Sequence, residues 1–138
     1  MFVVTGGGRG IGKALAIALA ERGHEVLIVG RSEQELSQTA STSSLIKYVC
    51  ADVSSTESRM IIKEALQDVP SIRGLIHNAG IIEPILPIKT IDELSWKKLM
   101  ATNVEAPLFL TQLLASQLTH GRVLNIGSGA GFFPVDGW

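Results

Sequence analysis

The stretch Met1-Phe2-Val3-Val4-Thr5-Gly6-Gly7-Gly8-Arg9-Gly10-Ile11-Gly12 decides how the chain is read. Phe2, Val3 and Val4 form a short apolar run of the kind that makes a buried strand. The run ends in a glycine cluster suited to a sharply turning loop, because glycine puts no Cβ between backbone and ligand and tolerates positive φ. Ile11, Leu15 and Leu19 then recur at helical spacing, with Ala14 and Ala18 beside them. Strand, glycine loop and helix in immediate succession present backbone N–H groups and a positive helix end to a phosphate. Taken alone, the cluster is also readable as a tight turn.

Composition narrows the class. The chain of 138 residues is long enough for one domain with a core, and 46% hydrophobic content suits parallel strands buried on both faces. A formal net charge of −1 leaves no basic excess for nucleic acid. No apolar run is long enough to span a bilayer, so no membrane role is expected. Residues 14–20 resemble a signal-peptide core, but the strand and glycines before them favour a core helix. The single cysteine, Cys50, forms no internal disulfide and sits in an apolar run, which predicts an inert buried thiol in a reducing, cytoplasmic setting. His24, His77 and His120 show no ligand spacing, so no metal is expected.

Further along, the first helix is expected over residues 10–22, stopped by Gly23, with a second buried strand over 25–29. That strand leads into Gly30-Arg31-Ser32. In dinucleotide-binding folds an acidic residue about 20 positions after the glycine loop accepts the ribose 2′-hydroxyl, whereas arginine accommodates a 2′-phosphate. Here Arg31 occupies the tip, and Arg9 adds a second positive charge from the loop. Solvated surface arginines are the plainer account of both. Ser32 caps a short helix over 33–40, and a third strand over 45–51 closes on Asp52-Val53. Residues 54–68 read as a helix with Met60, Ile61, Ala65 and Leu66 inward. A short fourth strand, 73–77, runs into Asn78-Ala79-Gly80. Pro84 and Pro87 make the following segment a loop, and Asp92 or Ser95 starts the next helix. A long helical pattern over 96–118 carries Leu99, Asn103, Ala106, Leu110, Leu113 and Leu114 on one side, and Pro107 predicts a kink. The last strand, 121–126, ends in Gly127-Ser128-Gly129-Ala130-Gly131.

Thr-Gly-x-x-x-Gly-x-Gly, Asn-Ala-Gly, Thr102-Asn103-Val104 and the serine after the last strand, in this order, resemble the short-chain dehydrogenase/reductase family over the whole chain. The resemblance implies an α/β fold, a Rossmann-type doubly wound parallel sheet of strand order 3-2-1-4-5, truncated after the fifth strand. It assigns cofactor contacts to Thr5, Gly6, Gly8, Arg9, Gly10, Ile11, Gly12, Arg31, Ser32, Asp52, Val53, Asn78, Ala79 and Gly80, and makes the cofactor NADP(H). Asp52 would meet the adenine amino group, or is simply a turn aspartate. His77 stands for the first asparagine of the family's Asn-Asn-Ala-Gly and is expected as a strand-end residue rather than a base.

Catalysis is implied at Ser128, whose hydroxyl would hydrogen-bond a substrate carbonyl, and at Asn103, whose backbone carbonyl would hold a relay water. A turn serine and a structural asparagine are the alternatives. The implied activity is NADPH-dependent reduction of a small-molecule carbonyl, with a homo-oligomer (dimer or tetramer) formed through the 96–118 helix. Pro134, Gly137 and Trp138 give a weaker resemblance to the sepiapterin reductase and benzil reductase branch. The family's Tyr-x-x-x-Lys acid is not present: the only tyrosine, Tyr48, has Asp52 four residues on. The expectation is therefore the N-terminal half of a family member, inactive by itself, with an exposed fifth-strand edge. The competing expectation is a non-catalytic NADP(H)-binding sensor or interaction module.

Overall fold

The computed structural model describes residues 1–133. Its strands are β1 (Phe2–Thr5), β2 (Val26–Gly30), β3 (Ile46–Cys50), β4 (Gly74–His77) and β5 (Arg122–Asn125). All pair in parallel, in the order β3-β2-β1-β4-β5. The doubly wound sheet and its 3-2-1-4-5 order are as the sequence leads one to expect. Pro134, Gly137 and Trp138, which carry the branch resemblance, lie outside the described residues.

Strand alternation builds two apolar faces. Val3 registers with Leu27 and Leu75, and Val4 with Ile28 and Ile76. The first set joins a core closed by Ile62 of helix α3 (Thr56–Ala65) and by Ala106 and Leu110 of helix α5 (Ala106–Leu113). The second joins a core closed by Ala16 and Ala20 of α1 (Gly10–Glu21) and Leu36 of α2 (Glu33–Ala40). Burial of each of these leucines and isoleucines contributes about 1.5–3 kcal/mol. β5 lies at the sheet edge, with Val123 and Leu124 exposed.

Three local expectations are corrected. In α3 the buried positions are Arg59 and Ile62, with Leu66 just beyond its end, whereas Met60, Ile61 and Ala65 are exposed. The reason is Arg59, which takes a place on the inward stripe by donating to the Val53 carbonyl (2.8 Å) and to Thr56 Oγ1 (2.9 Å) beneath the Phe109 ring. Cys50 is exposed, because β3 is an edge strand, and its thiol donates to the Arg31 carbonyl at 3.3 Å. The long helix is also not continuous. Helix α4 (Glu93–Met100), capped by Asp92, passes through a π-helical turn (Ala101–Glu105) into α5, and Pro107 stands just inside α5. The expected kink thus takes the form of a widened turn, since a proline supplies no N–H to the carbonyl four residues back. Among the described residues no helix is long and apolar enough to cross a membrane.

Leu110 is fully enclosed and Leu108, on the same helix, is 61% exposed. Leu110→Ala should lower the unfolding free energy by about 2–5 kcal/mol in urea titration, and Leu108→Ala by less than ~0.5 kcal/mol.

Candidate functional site

A cavity of about 560 Å³ opens outside the carboxyl ends of the strands. One wall is the glycine loop with Gly6, Gly8, Arg9, Gly10 and Ile11; another is the β2 tip with Gly30, Arg31 and Ser32. Ala51, Asp52 and Val53 close it beside β3, and Asn78, Ala79, Gly80, Ile81 and Thr102 extend it past β4. The crevice outside strand carboxyl ends, where the winding reverses between β1 and β4, is where open α/β sheets bind ligands.

The loop is shaped by Asn78. Its Nδ2 donates to the Thr5 carbonyl (3.0 Å) and the Gly6 carbonyl (3.2 Å), while its backbone N–H and that of Ala79 donate to Thr5 Oγ1, each at 3.0 Å. A Cβ on Gly12 would collide with the Gly6 carbonyl and with Asn78 Nδ2, so α1 starts where only glycine fits. Gly10 has φ +54° and open space around its missing Cβ, so there it is the backbone angle that selects glycine. Thr5 and Gly12 therefore stand behind the cavity wall and hold it, while the other twelve residues expected at the cofactor line the cavity themselves.

The cavity offers positive groups at the start of α1 and on two arginines, and the carboxylates of Glu35 and Asp52 also line it. No side chain caps α1 at Arg9, and its first turn has no acidic residue, so the helix N–H groups and positive end face the cavity. Arg9 and Arg31 are exposed, and neither guanidinium makes a hydrogen bond or ion pair among the described residues. Ser32 Oγ accepts from the Glu35 N–H at 3.3 Å, and Asp52 Oδ1 accepts from Ser54 N (3.0 Å) and Ser54 Oγ (2.7 Å). Asp52 is thus a turn aspartate that also lines the cavity.

Asn103 and Ser128 do not line it. Asn103 is exposed and clasps the loop after β4, accepting from Ile81 N (2.9 Å) and donating to the Ile81 carbonyl (2.7 Å). Ser128 is exposed and accepts from Ala130 N at 3.2 Å, capping a single turn. No group of three or more metal-ligating side chains occurs among the described residues.

A family model for the short chain dehydrogenases matches residues 1–138. The chain belongs to the short-chain dehydrogenase family. It is 31% identical to the benzil reductase ((S)-benzoin forming) of Bacillus subtilis, over all of this chain and 58% of that protein. It is 32% identical to the L-xylulose reductase of Caenorhabditis elegans, over 97% of this chain and 55% of that one. The chain spans roughly half the length of such curated relatives. The crystal structure of a metagenomic short-chain oxidoreductase in complex with NADP superposes with a TM-score of 0.91 at 28% identity, covering 99% of this chain and 65% of that one.

Sequence reasoning missed Val29, Gly30, Glu35, Leu36, Ala51, Ile81 and Thr102 as lining residues. A signal for Glu35 was present: Ser32-Glu33-Gln34-Glu35 is a capping-box pattern, which puts residue 35 back at the helix start beside the tip. Thr102 and Ile81 carried none, since their approach depends on the Asn103 clasp.

His77 is the buried polar ring beneath the site, with Nε2 2.8 Å from Thr111 Oγ1. Burial lowers its pKa from 6.5 to about 4. Below pH 6.5 the unfolded chain takes up a proton that the native ring refuses until about pH 4, so this group removes stability as pH falls through that interval. In denaturation series at pH 7, 5.5 and 4.5, His77→Asn should abolish a pH-dependent loss of roughly 2 kcal/mol that the unsubstituted protein shows.

Proposed function

We propose that these residues form the NADP(H)-binding Rossmann domain of an oxidoreductase that reduces a carbonyl to an alcohol. The observation that carries the choice of nucleotide is the pair of exposed, unpartnered guanidiniums, Arg9 and Arg31, on two walls of one cavity. Their planar forks suit a 2′-phosphate, and the Ser32 hydroxyl keeps its own proton to give while accepting from Glu35. The uncapped N–H groups of α1 suit the pyrophosphate. Asp52 has a second carboxylate oxygen for the adenine amino group, with Val53 beside it. Asn78-Ala79-Gly80 would carry the nicotinamide ribose, and Ile11, 62% exposed, offers apolar surface to the same ligand.

The residues of this cavity would hold the dinucleotide, which when bound would supply the hydride for the carbonyl carbon. Ser128 then donates its hydroxyl proton in a hydrogen bond to the carbonyl oxygen, where negative charge develops. Asn103 contributes its backbone carbonyl to a proton-relay water, while its side chain holds the loop at Ile81. The proton that completes the alcohol comes, by family resemblance, from a Tyr-x-x-x-Lys acid. Tyr48 on β3 is followed at that spacing by Asp52, so neither partner lies within residues 1–138. We therefore assign cofactor binding without turnover to residues 1–138 by themselves, and turnover to the whole protein.

Small carbonyl compounds are the proposed substrates. The 31% identity to a benzil reductase makes diketones the first to test with the whole protein. The exposed Leu94, Trp96, Leu108 and Phe109 on α4 and α5 support assembly as a homo-oligomer through that helical face. An exposed free thiol at Cys50 fits a reducing, cytoplasmic compartment.

Calorimetry tests the nucleotide. The protein should bind NADPH at least about tenfold more tightly than NADH, a difference of ~1.4 kcal/mol, and Arg31→Ala should remove most of it. Equal affinities for the two nucleotides in the unsubstituted protein would overturn the NADP(H) assignment.

A further inference from the structure

Thr39 is the enclosed polar side chain beside the cavity that the proposed reading leaves unused. It sits on α2 with none of its surface exposed. Its Oγ1 lies 3.0 Å from two carbonyl oxygens, that of Gly8 in the glycine loop and that of Glu35 one turn earlier in the helix. The bond to Glu35 is local and open to any helical threonine. The bond to Gly8 crosses 31 residues of sequence and exists only because α2 leans on the loop.

Both ends of this link adjoin an arginine. Gly8 precedes Arg9 directly. Glu35 donates its N–H to Ser32 Oγ, and Ser32 follows Arg31 directly. The single hydroxyl proton, shared between the two carbonyls, therefore ties the backbone beside one guanidinium to the helical turn that begins beside the other. Loop and helix are already in contact, since a Cβ on Gly8 would lie 3.0 Å from the Glu35 Cβ, and the Thr39 bond fixes how they sit along that contact. An arginine grips phosphate best through two parallel N–H bonds. A displaced backbone has to be taken up by the arginine's long stem, which costs side-chain freedom and weakens the paired grip.

We propose that Thr39 is a positioning residue for nucleotide selection: by bridging Gly8 and Glu35 it keeps Arg9 and Arg31 at the one separation at which both meet a single 2′-phosphate. The proposal rests on the NADP(H) reading above and extends it to a residue that touches no ligand. NADH carries a hydroxyl at that place and needs neither fork, so it should be insensitive to the link.

The test uses Thr39→Val, which keeps the volume and removes the donor, beside Thr39→Ser, which keeps the donor, with NADPH and NADH dissociation constants measured for each. Thr39→Val should weaken NADPH about fivefold and leave NADH within about twofold, while Thr39→Ser keeps the original ratio. If thermal melting shows Thr39→Val unfolded, Thr39→Ala takes its place with the same expectation. An unchanged NADPH/NADH ratio in the donor-less variant, or equal weakening of both nucleotides, overturns the proposal while the cofactor reading stands. No NADPH preference in the unsubstituted protein overturns both.

Discussion

The carboxamide of Asn78, donating at once to the carbonyls of Thr5 and Gly6, is the contact on which the nucleotide-binding end depends. β1 and β4 are neighbours that send their chains to opposite faces of the sheet, so their ends diverge and leave backbone groups without ladder partners. Asn78 and the Thr5 hydroxyl satisfy those groups together, joining residues more than seventy apart in sequence. Once the amide occupies that corner, a side chain at Gly6 or Gly12 has nowhere to go. The glycines of the loop therefore divide by cause. Gly6 and Gly12 answer to Asn78, although Gly6 also lines the cavity, whereas Gly8 and Gly10 line it clear of that amide.

That division explains how much could be read beforehand. The strands were legible as short apolar runs bounded by turn residues, which suit a sheet covered on both faces, whereas their order followed from the family resemblance. Val3 and Val4 do point into different cores. Arg31 was legible because its place depends only on distance along the chain from the loop to the next strand's end. Helix α3 was misread by rotation. Hydropathy counts Arg59 as solvent-facing, yet its guanidinium finds the Val53 carbonyl, Thr56 and the Phe109 ring, and those contacts set the helix phase. Cys50 was misread for the converse reason, since an apolar run does not reveal that its strand ends up at an edge. Thr39 was invisible altogether: in sequence it is one polar residue in a polar stretch, and its partner Gly8 is fixed only by how a helix rests on a loop.

Asn103 shows why a structural and a chemical reading of one residue need not compete. Its side chain is spent on Ile81, in two bonds that tether the segment after Asn-Ala-Gly to the π-helical turn. Its backbone is governed by a different residue. Pro107, four positions later, has no N–H to return to the Asn103 carbonyl, and the helix widens there into the π turn. A proline inside a helix removes one bond to the carbonyl four residues back, and the π turn, whose carbonyls pair with the N–H five residues on, takes up that loss beside Thr102 of the cavity wall. The Asn103 side chain fixes where the turn sits and the proline fixes its width, so the two bonds to Ile81 answer to structure, and the relay role proposed for Asn103 concerns its backbone carbonyl alone.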